Sequence, residues 1–514
     1  MSTRHFLLAA LGLTIYATAA QGQPGDADEP PEQPAEAMPI VELFEPAADV
    51  PRAGMIPQGC AVVHGVRMPI DLRAVLVPGR RFTLTPEPGV VISCVVATAR
   101  QDVEHTLVIT ARTENDPQGT VVFAMYDPAV AMVLSVPSLR LRYRLHYMGN
   151  GDYQVWRLDE AALPPEAHPL APPPGPPMVR LPGDDDWQPD DKWEPPDDGS
   201  EPREGGGCTG GTPILDHLVV YTPAARDAMG GDAAIRAEAA AAVEIANQSY
   251  ANSAMSTRAR LVYCNVISYT EGPDQDTDLE RLQDPDDGYM DGVHTTRDNV
   301  NADMVILYNN QGSGLGYCPD GVPPYEFMFC TVAWWRAAAT FTHAHETGHN
   351  LGGGHDVANG GACGPSYGVG HLFTGTDGNG YCTMMAYPDF THARVQHYSN
   401  PNVSYQGTPT GIPIGQPGEA YNARVLTDND NTVEDFELTR FDIYVNFAWA
   451  GAENGTYAQP YNTMTEGINA IAVPSTGAAD IPNLYVRTGT TSWTGSITKR
   501  MTITPCSGAV TVGD

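Results

Sequence analysis

Residues 342–356 hold the densest group of side chains that could do chemistry, in the string THAHETGHNLGGGHD. His345 and His349 are four positions apart, so on a helix both imidazoles project from one face and can bind one metal ion. Glu346 lies one position further round the helix, where it can hold a water molecule instead of bonding to the metal. These residue types in this order predict a zinc site with Glu346 as the catalytic base.

The pattern extends to HExxHxxGxxH, which adds His355 as a third zinc ligand. Gly352 allows the helix to end and the chain to turn sharply, because glycine adopts positive φ without strain. Three neutral histidines with one position left for water are typical of a catalytic zinc site rather than a structural one. His343 is followed by Ala344 and does not begin the motif, so we interpret it as a packed residue or a neighbour of the ligands.

This segment resembles the metzincin zinc endopeptidases, and Asp356 after the third histidine is similar to the adamalysin/reprolysin branch. The pattern is also close to that of the bacterial peptidyl-Asp metalloendopeptidases. The resemblance implies hydrolysis of peptide bonds in protein or peptide substrates, through a zinc-bound water activated by Glu346. It also implies that Asp356 and Gly352 support the three histidines without binding the metal.

Residues 381–387, YCTMMAY, resemble the Met-turn of the same clan, which places a methionine beneath the zinc. The spacing favours Met385, with Met384 as the alternative. Tyr387 follows Met385 by two positions, as in astacins and serralysins, where such a tyrosine approaches the zinc. Tyr387 is therefore either a second catalytic group beside Glu346 or a tyrosine of the core.

The resemblance further implies that the chain after the Met-turn lines the S1′ pocket. The residues that would form this wall are Tyr398, Ser399, Asn400 and Pro401. Arg394 lies close to them in sequence and either binds an acidic substrate side chain or is a surface arginine.

The catalytic motif lies within 213–438, where strand-like and helix-like segments alternate. Such alternation predicts an α/β (α+β) domain, and the resemblance implies a metzincin-like twisted mixed sheet with a long active-site helix. Before it, we predict a signal peptide at 1–20, a disordered Pro-rich and acidic segment at 21–58 and an all-β propeptide domain at 59–163. A Pro/Asp/Gly-rich linker follows at 164–212. The β-rich region 441–514 resembles the start of a parallel β-helix.

This order of segments indicates a zymogen whose own prodomain is the inhibitor and whose linker is the activation site. Cys208, just upstream of the catalytic domain, could act as a cysteine switch that fills the open zinc position. A disulfide, with Cys264 as one candidate partner, is the alternative. Among the nine cysteines, proximity in sequence suggests three further pairs, Cys60–Cys94, Cys318–Cys330 and Cys363–Cys382.

A formal net charge of −34 argues against nucleic acid as a partner. After the predicted signal peptide, no run of apolar residues is long enough to span a bilayer, so we expect no membrane insertion. We expect the protein to be an extracellular or periplasmic monomer. Beyond one catalytic zinc, Ca²⁺ could bind the acidic stretches 274–287 and 428–435, although neither matches a known calcium loop. Two alternatives to a protease are a catalytically silent binding protein or adhesin on the same fold, and a zinc hydrolase of non-protein amides.

Overall fold

The computed structural model describes residues 40–173 and 213–512, apart from short gaps at 52, 54, 69–70, 102–105, 115, 435, 437–441, 452, 454, 456–459, 472–482 and 500. The predicted signal peptide, Cys208 and most of the predicted linker lie outside the described residues. No helix within the described ranges combines the length and the apolar character needed to cross a bilayer.

The N-terminal part folds as one ten-stranded sheet, which we call the N-terminal sheet. Its strands are β1 (Val41–Glu42), β2 (Glu45–Pro46), β3 (Cys60–Arg67), β4 (Arg81–Glu87), β5 (Val90–Gln101), β6 (Leu107–Thr113), β7 (Thr120–Tyr126), β8 (Ala129–Val136), β9 (Leu141–Gly149) and β10 (Asp152–Leu158). A short helix, α1 (Leu72–Val75), lies between β3 and β4, and a 3-10 turn at Pro137–Leu139 lies between β8 and β9. From β4 to β10 each strand pairs antiparallel with the next, and β3 pairs with β10.

Residues 41–46 join the two ends of this sheet, because β1 pairs with β4 and β2 pairs with β3. The sheet therefore closes on itself like a barrel. We predicted disorder for 21–58, and the end of that segment is instead ordered in the sheet. The reason is the apolar pair Leu43 and Phe44, which are 0% and 2% exposed within the core.

The part that holds the predicted catalytic motif, which we call the catalytic part, is built on a five-stranded mixed sheet. Its strands and flanking helices are β11 (Ile214–Tyr221), α2 (Pro223–Met229), α3 (Asp232–Asn252), β12 (Arg258–Val266), α4 (Gln275–Gln283), α5 (Gly292–Val300), β13 (Met304–Asn309), β14 (Gly314–Gly316), β15 (Phe329–Ala333) and α6 (Thr342–Asn350). The strand order is β12-β11-β13-β15-β14. The first four strands are parallel, and the edge strand β14 is antiparallel to β15. This mixed sheet agrees with the predicted α/β class.

The active-site helix is not long, contrary to our expectation. Helix α6 has nine residues, and the 21-residue helix of the domain is α3. Helix α6 is short because positive-φ residues bound it closely on both sides, Phe341 at 66° and Gly352 at 90°. The chain continues through β16 (Leu372–Thr374), β17 (Gly380–Cys382), β18 (His392–Arg394), β19 (Ser404–Tyr405), β20 (Thr408–Pro409) and α7 (Asn422–Glu434).

The described residues of the C-terminal region form a three-stranded parallel sheet and one helix. Its elements are β21 (Asp442–Val445), α8 (Met464–Ala470), β22 (Asn483–Thr491) and β23 (Thr502–Val512). Both strand pairs are parallel. Whether these strands are coils of a β-helix stays a prediction.

One disulfide is described, and it joins Cys318 to Cys363. The suggested pairs Cys60–Cys94, Cys318–Cys330 and Cys363–Cys382 are therefore wrong. Sequence proximity failed because the fold brings Cys318 next to Cys363, which is 45 positions away, with their Cα atoms 5.9 Å apart. The observed bridge instead ties the chain after β14 to the loop that follows His355.

Candidate metal centre and catalytic site

Helix α6 carries the predicted motif into the centre of the molecule. All nine of its residues are buried, including its charged and polar side chains. It packs against β14, β15 and α3. A helix whose polar groups are buried must satisfy them with specific partners, so the partners of each motif residue indicate its role.

The three motif histidines converge on one point. The Nε2 atoms of His345 and His355 are 3.0 Å apart, those of His349 and His355 are 3.0 Å apart, and those of His345 and His349 are 3.1 Å apart. Tetrahedral zinc with bonds of about 2.0–2.1 Å would space its nitrogen ligands at about 3.3 Å. The three rings are thus arranged as a set of ligands for one small cation.

The opposite ring atoms define the tautomer of each histidine. Each Nδ1 faces a main-chain carbonyl, that of Met384 for His345, of Gly353 for His349 and of Asn359 for His355. A carbonyl can only accept, so each Nδ1 carries the proton and each Nε2 presents a lone pair. Burial lowers the pKa of His345 to about 4 and that of His355 to about 3, which keeps both rings neutral. Three lone pairs at this spacing repel one another unless a cation lies between them.

A tight turn brings His355 back to the helix. The N–H of Gly352 bonds to the His349 carbonyl at 2.8 Å, and that of Gly353 to the Gly348 carbonyl at 2.9 Å. This is a Schellman ending, and Gly352 supplies its left-handed residue with φ of 90°. Beyond the turn, the Asp356 carboxylate accepts from the N–H groups of Ala358 and Tyr387.

Glu346 is a buried carboxyl group whose two oxygens have no hydrogen-bond partner among the described residues. Both carboxylate oxygens are inaccessible, and no residue in the described part of the chain donates a hydrogen bond to them. Burial, and then the nearby charge of Glu166, raises the pKa of Glu346 well above its usual range. Gly314 of β14 makes room for it, because a Cβ at Gly314 would lie 2.1 Å from the Glu346 Oε1.

The two methionines of the YCTMMAY string contact the site through different groups. The Met384 carbonyl orients His345, whereas the Met385 side chain lies against α6. A Cβ at Gly348 would approach the Met385 sulfur to 2.8 Å, so the small residue in the helix permits this contact. Both methionines are fully buried.

Tyr387 lies over the histidines, with its ring centroid 4.6 Å from that of His355. Its hydroxyl donates to the main-chain carbonyl of Glu166 at 2.7 Å. Glu166 belongs to the segment 164–173, which we call the strap. These residues belong to the predicted linker (164–212), and their contacts with the site could not be predicted, because a single glutamate in a Pro-rich stretch carries no signal.

The strap runs along the edge strand β14 beside the metal centre. The N–H of Ala167 bonds to the Gly314 carbonyl at 3.2 Å, and that of Leu170 to the Gly316 carbonyl at 2.9 Å. The ring of His168 lies 5.7 Å from that of His355. A cavity of about 450 Å³ opens here, between the strap and the loops joined by the Cys318–Cys363 disulfide.

Arg394 is buried and forms an ion pair with Glu166. It is 1% exposed, and its two terminal nitrogens bind both carboxylate oxygens of Glu166 at 2.7 and 2.8 Å. Burial alone would raise the pKa of Glu166, but Arg394 holds that pKa well below its usual range. The alternative of a surface arginine is wrong. Thr342, at the start of α6, also donates to Glu166 at 3.0 Å.

The predicted S1′ residues lie behind α6 and pack inside the domain. The Tyr398 hydroxyl donates to the Ala344 carbonyl at 2.7 Å, and the Ser399 hydroxyl to the Val369 carbonyl at 2.6 Å. The Asn400 amide donates to the Ser253 carbonyl at 2.8 Å. Pro401 is partly exposed. A pocket-lining role for this segment stays a prediction.

Two further predictions concern His343 and the acidic stretches. His343 is buried between His217 and Tyr308, each 2.9 Å away, and so is a packed residue on the far side of the ligands.

Asp278 and Asp430 are held by hydrogen bonds from neighbouring side chains, such as Tyr269 and Thr257. Within the described ranges, neither acidic stretch gathers three candidate metal ligands.

Comparison with known proteins finds a family whose model matches part of the chain. Residues 212–399 match the Reprolysin_5 family, described as metallo-peptidase family M12. The chain is 36% identical over 229 residues to a protein of Stenotrophomonas maltophilia named peptidyl-Asp metalloendopeptidase, covering 44% of this chain and 54% of that protein. Proteins of the same name from Xanthomonas campestris and Pseudomonas aeruginosa are 33% and 27% identical, over 44% and 45% of this chain and 53% and 42% of their own lengths.

The chain thus spans about half the length of the curated relatives it matches. The matched region contains the three histidines, Glu346, the Met-turn string and Arg394. Residues 212–399 therefore resemble a reprolysin-like domain of metallopeptidase family M12.

Proposed function

We propose that the chain is a secreted zinc-dependent endopeptidase made as a zymogen. The observation that carries this proposal is the convergence of three histidine lone pairs beside a buried carboxylate that has no partner within the described residues. A structural metal site would be closed by a fourth protein ligand. A binding protein would have no need for an unpaired buried carboxylate, which is costly to keep.

His345, His349 and His355 would hold the zinc. When bound, the ion would polarise the scissile carbonyl and make a water molecule more acidic. Glu346 would take the proton from the attacking water and pass it to the leaving amine, a role that suits a carboxylate with a raised pKa. Tyr387 would donate its hydroxyl hydrogen bond to the oxygen that gains charge in the transition state.

Latency would arise from the strap. The Glu166 carbonyl occupies the Tyr387 hydroxyl and the Glu166 carboxylate occupies Arg394, so neither group can serve a substrate while the strap is bound. In the proposed domain organisation, a signal peptide (1–20) and an all-β domain (59–163) precede the protease (213–438), and cleavage within 174–212 would release the C-terminal end of the strap.

Arg394 suggests that the substrate carries an acidic residue near the scissile bond. It is a buried cation close to the metal centre, and in the latent chain a glutamate fills its donors. A buried guanidinium recognises a carboxylate by two parallel hydrogen bonds. The relatives are named for peptidyl-Asp cleavage, which agrees with this proposal.

The test uses full-length protein expressed in parallel with Glu346→Ala and, as a matched control, with Glu280→Ala on the exposed surface of α4. Zinc content would be measured by elemental analysis, and activity on casein before and after a cut in 174–212. We expect one zinc per chain in all three proteins, activity in the wild type and control after the cut, and none in Glu346→Ala or after chelation.

Absence of zinc, or equal activity in Glu346→Ala, would refute the proposal. Mass spectrometry of the products gives the residues beside each cut. A product set without enrichment of Asp or Glu at the cuts would refute the role of Arg394 while leaving the endopeptidase intact.

A further inference from the structure

We propose that the N-terminal sheet is a permanent part of the folded enzyme, which stays bound to residues 213–434 after the linker is cut. This inference rests on the proposed function only for the expectation that the linker is cleaved. It separates two parts that a propeptide would combine: the strap, which covers the site, and the sheet, which is part of the core.

Helix α3 carries the first argument. Fourteen of its 21 residues are buried, and they lie on all sides of the helix. One side packs against β12 of the catalytic sheet and the other against β7 and β8 of the N-terminal sheet. A helix that is apolar all round needs cover on every side. Loss of the N-terminal sheet would expose the alanine-rich face of α3 to water.

The second argument is a buried ion pair between the two parts. Arg144 of β9 and Glu238 of α3 are 3.3 Å apart, and their side chains are 0% and 1% exposed. Arg144 also donates to the Trp335 carbonyl at 2.6 Å. Both charges are out of contact with water at this boundary, so each depends on the other while the two parts are joined, and removal of one partner of a buried pair is strongly destabilising.

Aromatic packing across the same boundary extends to the start of the active-site helix. The ring centroids of Trp156 in β10 and Trp334 are 6.3 Å apart. The ring of His146 stacks on that of Trp156, with their centroids 4.4 Å apart. The Arg142 guanidinium lies 3.9 Å above the ring of Phe341, the residue with positive φ that precedes α6. The sheet therefore supports the backbone that positions the histidines.

Together these contacts form one hydrophobic core that runs from Leu43 to Val433. Interfaces of permanent complexes resemble a domain core cut in half, whereas interfaces that separate are smaller and more polar. The face of α3 that the catalytic sheet leaves uncovered is thus covered by a fixed segment of the same chain. The strap, by contrast, is a short segment held mainly through Glu166, which pairs with Arg394 and Arg336 and accepts from Thr342 and Tyr387. Main-chain hydrogen bonds to β14 complete its contacts.

The experiment uses the full chain in the Glu346→Ala background, with a recognition sequence for a specific protease placed in 180–190. After cutting, the protein is diluted and analysed by gel filtration and native mass spectrometry. We expect the two fragments to elute together at about 0.1 μM, because permanent interfaces dissociate only far below this concentration. Separate elution of two folded fragments in plain buffer would overturn the proposal. Neither result depends on activity.

Two substitutions locate the association at the boundary. In the cut protein, Arg144→Met is expected to raise the dissociation constant about 30-fold or more, because it leaves Glu238 buried and unpaired. The control Arg81→Met removes an exposed ion pair with Glu114 inside the sheet, and it should leave association unchanged. An equal effect of both would count against the proposal.

If Arg144→Met does not fold, Arg100→Met replaces it. Arg100 pairs at 2.6 Å with Glu244 of α3 at the rim of the same boundary, and it is 47% exposed. A rim pair contributes less, so the expected rise in the dissociation constant is about two- to fivefold. No change relative to Arg81→Met would contradict an interface at this face of α3.

Discussion

Helices α3 and α6 pack against each other, and each buries a glutamate in a different way. On α3, Glu238 is 1% exposed, faces Arg144 at 3.3 Å and accepts from the Ala338 N–H at 3.1 Å. On α6, Glu346 is equally buried and has no donor among the described residues. Burial raises the pKa of both carboxyls. The difference shows that burial alone does not mark a catalytic acid or base, whereas burial without a partner beside converging metal ligands does.

The largest effect is expected from replacing Glu346, the glutamate of α6 that has no hydrogen-bond donor among the described residues. Glu346→Gln should lower turnover by about 10²–10⁴-fold, the usual contribution of a general base. The free energy of unfolding should stay the same or rise, because a buried acid without a donor is replaced by a neutral amide. Casein hydrolysis would measure turnover, and urea unfolding would measure the free energy of unfolding. Elemental analysis would give the zinc content of the variant. A large loss of zinc would show that Glu346 supports the metal rather than the proton transfer.

The matching substitution on α3 should lower the stability of the protein and leave its turnover nearly unchanged. Glu238→Gln leaves Arg144 buried without its anion and should lower the free energy of unfolding by about 3–5 kcal/mol. Turnover per folded molecule should change little, since Glu238 does not touch the metal centre. Urea unfolding followed by fluorescence gives the first number and active-site titration the second. The exposed Glu280→Gln serves as the control, with an expected change within about 0.5 kcal/mol.

A third buried glutamate, Glu166, sharpens the comparison because it is paired with Arg394 beside the site. Glu166→Gln should weaken the strap and raise the basal activity of the uncut chain about tenfold or more, given the usual cost of truncating a buried charge pair. Peptide hydrolysis by uncut protein measures this effect. Glu87→Gln, within the N-terminal sheet, is the control. Unchanged basal activity in folded Glu166→Gln would mean that the strap does not inhibit.

The smallest expected effect concerns the end of α6. Gly352→Ala places a Cβ at a φ of 90° and at 3.2 Å from the Val425 and Asn429 side chains, so it should cost about 1–2 kcal/mol. The turn that carries His355 would shift, and zinc affinity should fall with stability. Gly292→Ala, in open space at the start of α5, is the control. Thermal unfolding with and without chelator separates the two effects.

Much of the metal centre could be predicted from the sequence because it is local. His345, Glu346 and His349 lie on one helix turn, and His355 follows after a turn that Gly352 makes possible. The Met-turn string lies far along the chain, and the family resemblance was needed to suggest its place. The α/β class of the catalytic part followed from the alternation of its segments.

The partners that lie far apart in sequence could not be predicted. Glu166 and Arg394 are 228 positions apart, and Arg144 and Glu238 are 94 apart. The cysteines show the same limit, since proximity along the chain paired them incorrectly. The ordered strands at 41–46 were hidden by an acidic, Pro-rich composition, and only the burial of Leu43 and Phe44 explains them.

The sequence by itself determined which side chains could hold a metal and supply a base, because spacing along a helix sets which residues share a face. Only the tertiary structure decided which buried glutamate is paired and which is left without a donor. It also decided that the N-terminal sheet shares a core with α3 while the strap covers the site. These outcomes depend on which distant segments exclude water from each other, and packing between distant segments has no local pattern in a sequence.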